Sequence, residues 1–251
     1  MKKIWTDEKL EFFVKNYQLH TKKELCALLG FKSIGSIKNK IRELKLPHKT
    51  NRKGDLSFLL ENTDEAFYWL GFIMADGWIS NGGQLVIVQS GKDKKHLEVL
   101  ADKLKGNVRR VNQKGGYPKS QPFSYRIAIQ DKEKGIQLKN KMQIKTRKTY
   151  NPPSLEWIPD NKLLSFIVGL IDGDGYINKD GAIKVELHYN WLSTLAYLCE
   201  RLSAFGINAF SDYNQRGFAV LKVYQQNSLK ILLNASRQLP ILERKWININ
   251  L

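Results

Sequence analysis

Two stretches decide how this chain reads: WLGFIMADGWI at 69–79 and IVGLIDGDGYI at 167–177, one pattern written twice at a constant offset of 98 residues. At the same offset Leu97, Leu100 and Leu104 correspond to Leu195, Leu198 and Leu202, and at an offset of 97 Arg147-Lys148-Thr149 corresponds to Arg244-Lys245-Trp246. Register held over three separated blocks marks an internal repeat. Between the blocks the halves read alike. A helix ends at the motif and a hairpin follows, whose second strand alternates (LVIVQ at 85–89, IKVEL at 183–187). Then come a helix at about 93–104 or 191–204, a strand pair including YRIAIQ at 125–130 or FAVLKVY at 218–224, and a closing helix with a basic tail. The expected fold class is α+β: an αββαββα unit over 58–150 and again over 163–251, joined by a linker at 151–162 that holds Pro152-Pro153.

The motif itself carries chemistry. Gly71 and Ala75 stand four apart, as do Gly169 and Gly173, so each motif helix has a stripe of small residues. Small residues let two helix backbones approach closely, and the two copies are expected to pack face to face. Asp76 and Asp174 follow the stripe where Gly77 and Gly175 end the helices, so close packing brings two carboxylates together. Two like charges held close are unfavourable unless a cation neutralises them. Hard divalent metals bind through oxygen, and Mg²⁺, or Mn²⁺ in its place, suits carboxylates plus a substrate phosphate. Paired carboxylates, a metal and a basic surface describe in-line hydrolysis of a phosphodiester. The bland alternative is a Gly-rich helix crossing whose aspartates cap local turns; the duplication with basic partners argues against it.

Composition agrees. The 251 residues hold 41 Lys and Arg against 24 Asp and Glu, a net charge of +17, which points to a polyanionic partner. Residues 1–55 carry +8 and 56–251 carry +9. A hydrophobic content of 42% with 11% aromatics excludes global disorder. The longest apolar run, LLSFIVGLI at 163–171, is about half a bilayer span. No basic-then-apolar leader opens the chain. Cys26 and Cys199 lie far apart, without disulfide-scaffold or zinc-ligand spacing. The expectation is a reduced, intracellular protein with no membrane contact.

The N-terminal segment reads as three short helices over 1–46, followed by a linker at 47–57. Thr6 caps a helix with Leu10, Phe13, Val14 and Tyr17 on its inner face, and Thr21 and Glu24 form a capping box before Leu25, Leu28 and Leu29, which Gly30 ends. A third helix, about Ser33 to Leu44, buries Ile34, Ile37, Ile41 and Leu44 and presents Ser36, Lys38, Asn39, Lys40 and Arg42. A basic helix after a tight turn is the arrangement that enters a major groove, and the segment resembles the helix-turn-helix of Myb-like and phage-type DNA-binding modules.

Residues 58–251, with WLGFIMADG at 69–77 and IVGLIDGDG at 167–175, resemble the LAGLIDADG homing endonuclease family in its single-chain, two-motif form. The resemblance implies that Asp76 and Asp174 are the essential metal ligands. The earlier acidic position is Asp172 in the second copy but Met74 in the first. It also implies a basic residue near the attacking water, matched by Lys148 and Lys245, with Lys145 the rival in the first half. A solvent-ordering polar residue at the end of the hairpin strand is matched by Gln89; its strict partner is Leu187, flanked by Glu186 and His188. Each half's sheet would form a saddle over the major groove of double-stranded DNA. The candidate contacts there are Arg126, Gln130, Lys184, His188 and Lys222, with Arg109, Arg110 and Lys114 extending the basic surface. The implied activity is that of a monomer making a double-strand break with short 3′ overhangs at a long asymmetric site, promoting transfer of an intron or similar element. An intron RNA maturase or a non-cleaving DNA-binding regulator is the alternative that the same fold allows.

Overall fold

The computed structural model describes residues 5–17, 20, 22–46, 54–112, 123–178, 181–247 and 249. The chain divides into a unit of residues 1–51 and a unit of 52–251.

The first unit holds α1 (Asp7–Asn16), α2 (Lys22–Leu28) and α3 (Ile34–Glu43). The Thr6 hydroxyl accepts from the Lys9 amide and that of Ser33 from the Gly35 amide, which fixes the starts of α1 and α3. Gly30, at φ +69°, takes the left-handed turn that ends α2. Thr21 lies outside the described residues. The core is Phe13, Tyr17, Leu25, Cys26, Leu29, Ile37 and Ile41, with Trp5, Phe31, Leu44 and Leu46 against it. Val14, Leu28 and Ile34, expected inside, are exposed. Three helices this short meet along narrow seams, and the flanking Trp5 and Phe31, with Cys26, fill the space the periodicity assigned to them. Lys38, Asn39 and Arg42 are exposed and Ser36 is half-buried; Lys40 pairs with Glu43.

The second unit is the repeat. Its first half runs α4 (Asp64–Asp76), β1 (Gly77–Ile79), β2 (Gln84–Ser90), α5 (Lys94–Lys103), β3 (Arg109–Asn112), β4 (Phe123–Gln130) and α6 (Lys132–Lys141). The second runs α7 (Asp160–Asp174), β5 (Gly175–Ile177), β6 (Ile183–Leu187), α8 (Leu192–Ser203), β7 (Ala209–Tyr213), β8 (Ala219–Val223), α9 (Gln226–Ser236) and a short α10 (Glu243–Trp246). Each half has a four-stranded antiparallel sheet, ordered β1-β2-β4-β3 and β5-β6-β8-β7. Gly83 and Gly181, 98 apart, close the equivalent hairpins at φ +74° and +80°.

β6 alternates buried and half-buried residues as expected, but in β2 Leu85, Val86 and Ile87 are all buried and Val88 is exposed. Val86 stands in register between Trp78 of β1 and Ala128 of β4, which shelter it on the open face. The expected linkers are shorter than read. Leu56 is buried and the Asp55 amide bonds the Leu104 carbonyl, so the chain joins this unit before residue 57. Leu155 and Ile158 are likewise core, and Arg201 donates to both of their carbonyls.

α4 and α7 cross at the centre of one continuous core. A Cβ added to Gly71 would overlap the Phe166 carbonyl, one added to Gly169 would overlap the Tyr68 carbonyl, and one on Gly173 would overlap the Ala75 methyl. Gly71 and Gly169 therefore let each backbone touch the other, and Ala75 opposite Gly173 explains why the stripe differs by one methyl. Gly169→Val is expected to lower stability by about 3 kcal/mol or more, since backbone rather than a flexible side chain must yield. Chemical denaturation checks this; an unchanged midpoint contradicts the crossing geometry.

Candidate active site

Asp76 is the last residue of α4 and Asp174 the last of α7. Each helix ends because the following glycine, Gly77 or Gly175, turns to extended backbone (φ −86° and −91°) and starts a strand. The crossing places Asp76 against the opposite helix: a Cβ on Gly173 would stand 3.3 Å from its Oδ2. Burial raises the Asp76 carboxyl above its usual range, opposed by the Gln89 hydrogen bond. Burial, then the charge of Asp76, pushes Asp174 up to about 6. The charge of Asp76 thus raises Asp174, whereas Asp76 is itself raised by burial and, more weakly, by Asp93.

Both lysines lie beside it, but not aimed at open solvent. Lys148 Nζ donates to the carbonyls of Ile73 at 3.1 Å and Ala75 at 2.8 Å and also contacts the Met74 carbonyl. Lys245 Nζ meets the carbonyls of Ile171, Asp172, Gly173 and Gly175 at 2.6–3.1 Å. Each ammonium thus covers the C-terminal carbonyls of a motif helix, where the helix dipole is negative and the aspartate adds to it. Burial lowers Lys148 to about 8, against the pull of Asp174 and Asp76, and lowers Lys245 as well. Their positive charge lowers both carboxyls, against the burial that raises them. Lys145 is exposed in the turn before Lys148.

The two carboxylates are held differently. Gln89 Nε2 donates to Asp76 Oδ2 at 2.5 Å. At the equivalent position of the second half Leu187 is an apolar core residue, and Asp174 has no such donor among the described residues. A cleft beside Asp76 is lined by Trp78, Lys145, Arg147 and Lys148, and one beside Asp174 by Lys148, Glu186, His188 and Trp191.

Asp172, flagged by the resemblance as a lesser acidic position, is a buried hub. It accepts from Tyr68 Oη at 2.7 Å, the Leu242 amide at 2.9 Å and Trp246 Nε1 at 2.8 Å. His96 sits 3.0 Å from the same tyrosine oxygen, and burial lowers its pKa to about 4, so it is neutral near pH 7. Neither Tyr68 nor His96 was singled out by sequence; their partners lie far along the chain.

The strand residues sort by register. Arg109, Arg126 and Gln130 share the open face of the first sheet, and Arg126 Nε has no hydrogen-bond partner among the described residues. Arg110 is a correction: it pairs with Tyr125 on the opposite face and lies 4.0 Å over the Phe123 ring. Side chains alternate along a strand, so adjacent arginines cannot share a face. In the second sheet Tyr176, Lys184, Lys222 and Phe210 form one row across four strands of the open face. Glu186, on the same face, pairs with Arg216. His188 caps the turn at Tyr189–Trp191 and packs against the rings of Tyr150 and Tyr189. Lys114 lies outside the described residues.

The donor set fits a hard divalent cation: two carboxylates whose charge Lys148 and Lys245 only partly offset, with the Gln89 amide against Asp76 alone. No group of three or more His, Cys, Asp or Glu forms a ready cage among the described residues, so water or phosphate oxygens would complete the shell, as Mg²⁺ prefers. Asp174→Asn is therefore expected to stabilise the protein in chelator above pH 6, by removing one buried like charge. The advantage fades as pH falls through about 6, because folded Asp174 binds its proton more tightly than the unfolded chain does. Mg²⁺ at about 100 times its Kd is expected to stabilise the wild type by about 2.7 kcal/mol and the variant far less. Thermal midpoints against pH and Mg²⁺ check both; a destabilised variant with an undiminished Mg²⁺ response contradicts the site.

No family model and no curated protein matches the chain. Among solved structures it is similar to the homing endonuclease I-WcaI bound to its DNA recognition sequence, at 12% identity, covering 83% of this chain and 96% of that one with a TM-score of 0.57. It is also similar to I-DmoI in complex with DNA and Ca, at 17% identity over 72% and 95% of the two chains (TM-score 0.49), and to the N-terminal LAGLIDADG domain of WhiA, at 19% over 80% and 91% (TM-score 0.48). The duplicated helix-and-sheet unit, with its motif helices crossing on glycine, has the α+β LAGLIDADG fold that the I-WcaI structure displays.

Proposed function

We propose that this chain is a monomeric, divalent-metal-dependent, site-specific endonuclease of double-stranded DNA, serving the transfer of an intron or similar mobile element. The observation that carries the reading is the pair Asp76 and Asp174, delivered side by side by the α4–α7 crossing at the point where both open sheet faces begin. I-WcaI, the similar fold solved on its DNA recognition sequence, supports it.

In this reading Asp76 and Asp174 hold Mg²⁺, or Mn²⁺ in its place. The bound metal supplies a water of lowered pKa and a positive charge for the phosphate. The protein's own groups do the rest. Gln89 fixes one rotamer of Asp76. Lys148 and Lys245 offset the negative helix ends, so that two carboxylates stay ionised in a partly buried place. The sheet faces hold the duplex, with Arg109, Arg126, Gln130, Lys184 and Lys222 toward the groove and His188 at its edge. Arg and Gln there read guanine and adenine, and lysine reads guanine or phosphate. Ser36, Lys38, Asn39 and Arg42 of α3 add a second, helix-borne footprint from the N-terminal unit, raising effective concentration on the same duplex.

Replacing both Asp76 and Asp174 by Asn is expected to cut the cleavage rate at least ~10³-fold, several kcal/mol of transition-state stabilisation. Duplex retention should stay within a few-fold. Cleavage that persists in the double variant contradicts the assigned centre. A wild type that retains duplex DNA with Mg²⁺ and never cuts it supports the regulator reading, and one that retains only intron RNA supports the maturase reading.

A further inference from the structure

The two repeats are bound together by more than their glycine crossing. The segment that carries Lys245 is fastened from the first repeat. Asp93, in the 3₁₀ turn Gly91–Asp93 after β2, is 4% exposed and takes Arg244 Nε at 2.7 Å and one Arg244 amino nitrogen at 2.8 Å in a two-point ion pair. Arg244 is the residue before Lys245. Asp93 stands at the start of α5 yet makes no side-chain cap there; among the described residues it accepts, beyond Arg244, only from Ser90 Oγ, at 3.3 Å.

The segment that carries Lys148 is fastened from the second repeat, at the equivalent place. Trp191 corresponds to Asp93 at the repeat offset of 98 and lies in the 3₁₀ turn Tyr189–Trp191 after β6. Its Nε1 donates to the Thr149 carbonyl at 3.1 Å, and Asn190 Nδ2 donates to the Tyr150 carbonyl at 2.6 Å. Thr149 is the residue after Lys148. The chemistry differs between the two sides, a charge pair in one and neutral donors to backbone in the other. The place does not: each turn after a central strand reaches across to the lysine-bearing segment of the opposite half.

Resting on the nuclease reading above, we propose that Asp93 with Arg244, and Trp191 with the Thr149 carbonyl, are positioning residues: each repeat latches the other's lysine onto its helix end, so that neither half completes its cleavage centre alone. Displacing Lys245 uncovers the α7 carbonyls beside Asp174 and displacing Lys148 those of α4 beside Asp76, so each latch acts chiefly on one side of the shared pair. The expected signature is unequal cutting of the two strands.

The test uses the full-length protein. Amine-reactive labelling read by mass spectrometry reports each latch without any cleavage. Asp93→Asn is expected to raise labelling of Lys245 but not Lys148, and Trp191→Phe, which removes the donor and keeps an aromatic ring in the core, the reverse. On a supercoiled plasmid carrying the target, each variant should slow one strand by about 10- to 100-fold and accumulate nicked circle, at unchanged duplex affinity. The swapped pair Asp93→Arg with Arg244→Asp should restore Lys245 protection and the linear product, which a general loss of folding would not allow. Unchanged labelling in both single variants overturns the latch, as does equal slowing of both strands that the swapped pair fails to relieve. Labelling that shifts as expected in a protein that never cuts DNA upholds the latch and refutes the nuclease reading.

Discussion

The structure depends on one contact: two helices crossing with backbone against backbone. Gly71 against the Phe166 carbonyl and Gly169 against the Tyr68 carbonyl leave no space for a side chain. That closeness makes a single core from two halves that each bury one face of a sheet. It also fixes where the helices end relative to one another. Because Asp76 and Asp174 are the terminal residues of those helices, one packing constraint creates both the fold and the carboxylate pair.

Such a pair is costly, and the surroundings show how the cost is offset. Two buried ammonium groups cover the helix C-termini that would otherwise add negative potential beside the carboxylates. Compensation remains incomplete: both carboxyls are still raised, Asp174 to about 6. A protein that needed only stability would lose little by replacing them with neutral residues. An incompletely compensated pair facing two basic sheet surfaces makes sense where a cation and a phosphate complete it.

The repeat was legible because its signals are local or periodic. The motif offset, the recurring leucines and the Arg-Lys run locate both helices, both hairpins, the aspartates and the lysines. What sequence concealed depends on pairing at long range. Asp172 drew notice as a motif position, but its role comes from Tyr68, Leu242 and Trp246, which only the fold assembles. Asp93 carried no pattern, because its partner lies 151 residues away. Arg110 was grouped with Arg109 by adjacency, whereas strand register sends them to opposite faces. In the N-terminal unit the helical period put Val14, Leu28 and Ile34 inside, yet short helices leave room for fewer inward positions than the period suggests. The direction of the lysines was hidden for the same reason as Asp172: the carbonyls they meet lie 70 to 75 residues away.

In the proposed function the crossing presents a metal-binding carboxylate pair to duplex DNA. The most direct measurement incubates purified protein with a large randomised pool of duplex DNA, in Mg²⁺ and in parallel in Ca²⁺, and sequences newly formed ends. Paired cuts with short 3′ overhangs are expected at one extended asymmetric site in Mg²⁺, with retention of that same site without cuts in Ca²⁺. Site-selective retention with no new ends in either ion would contradict that function.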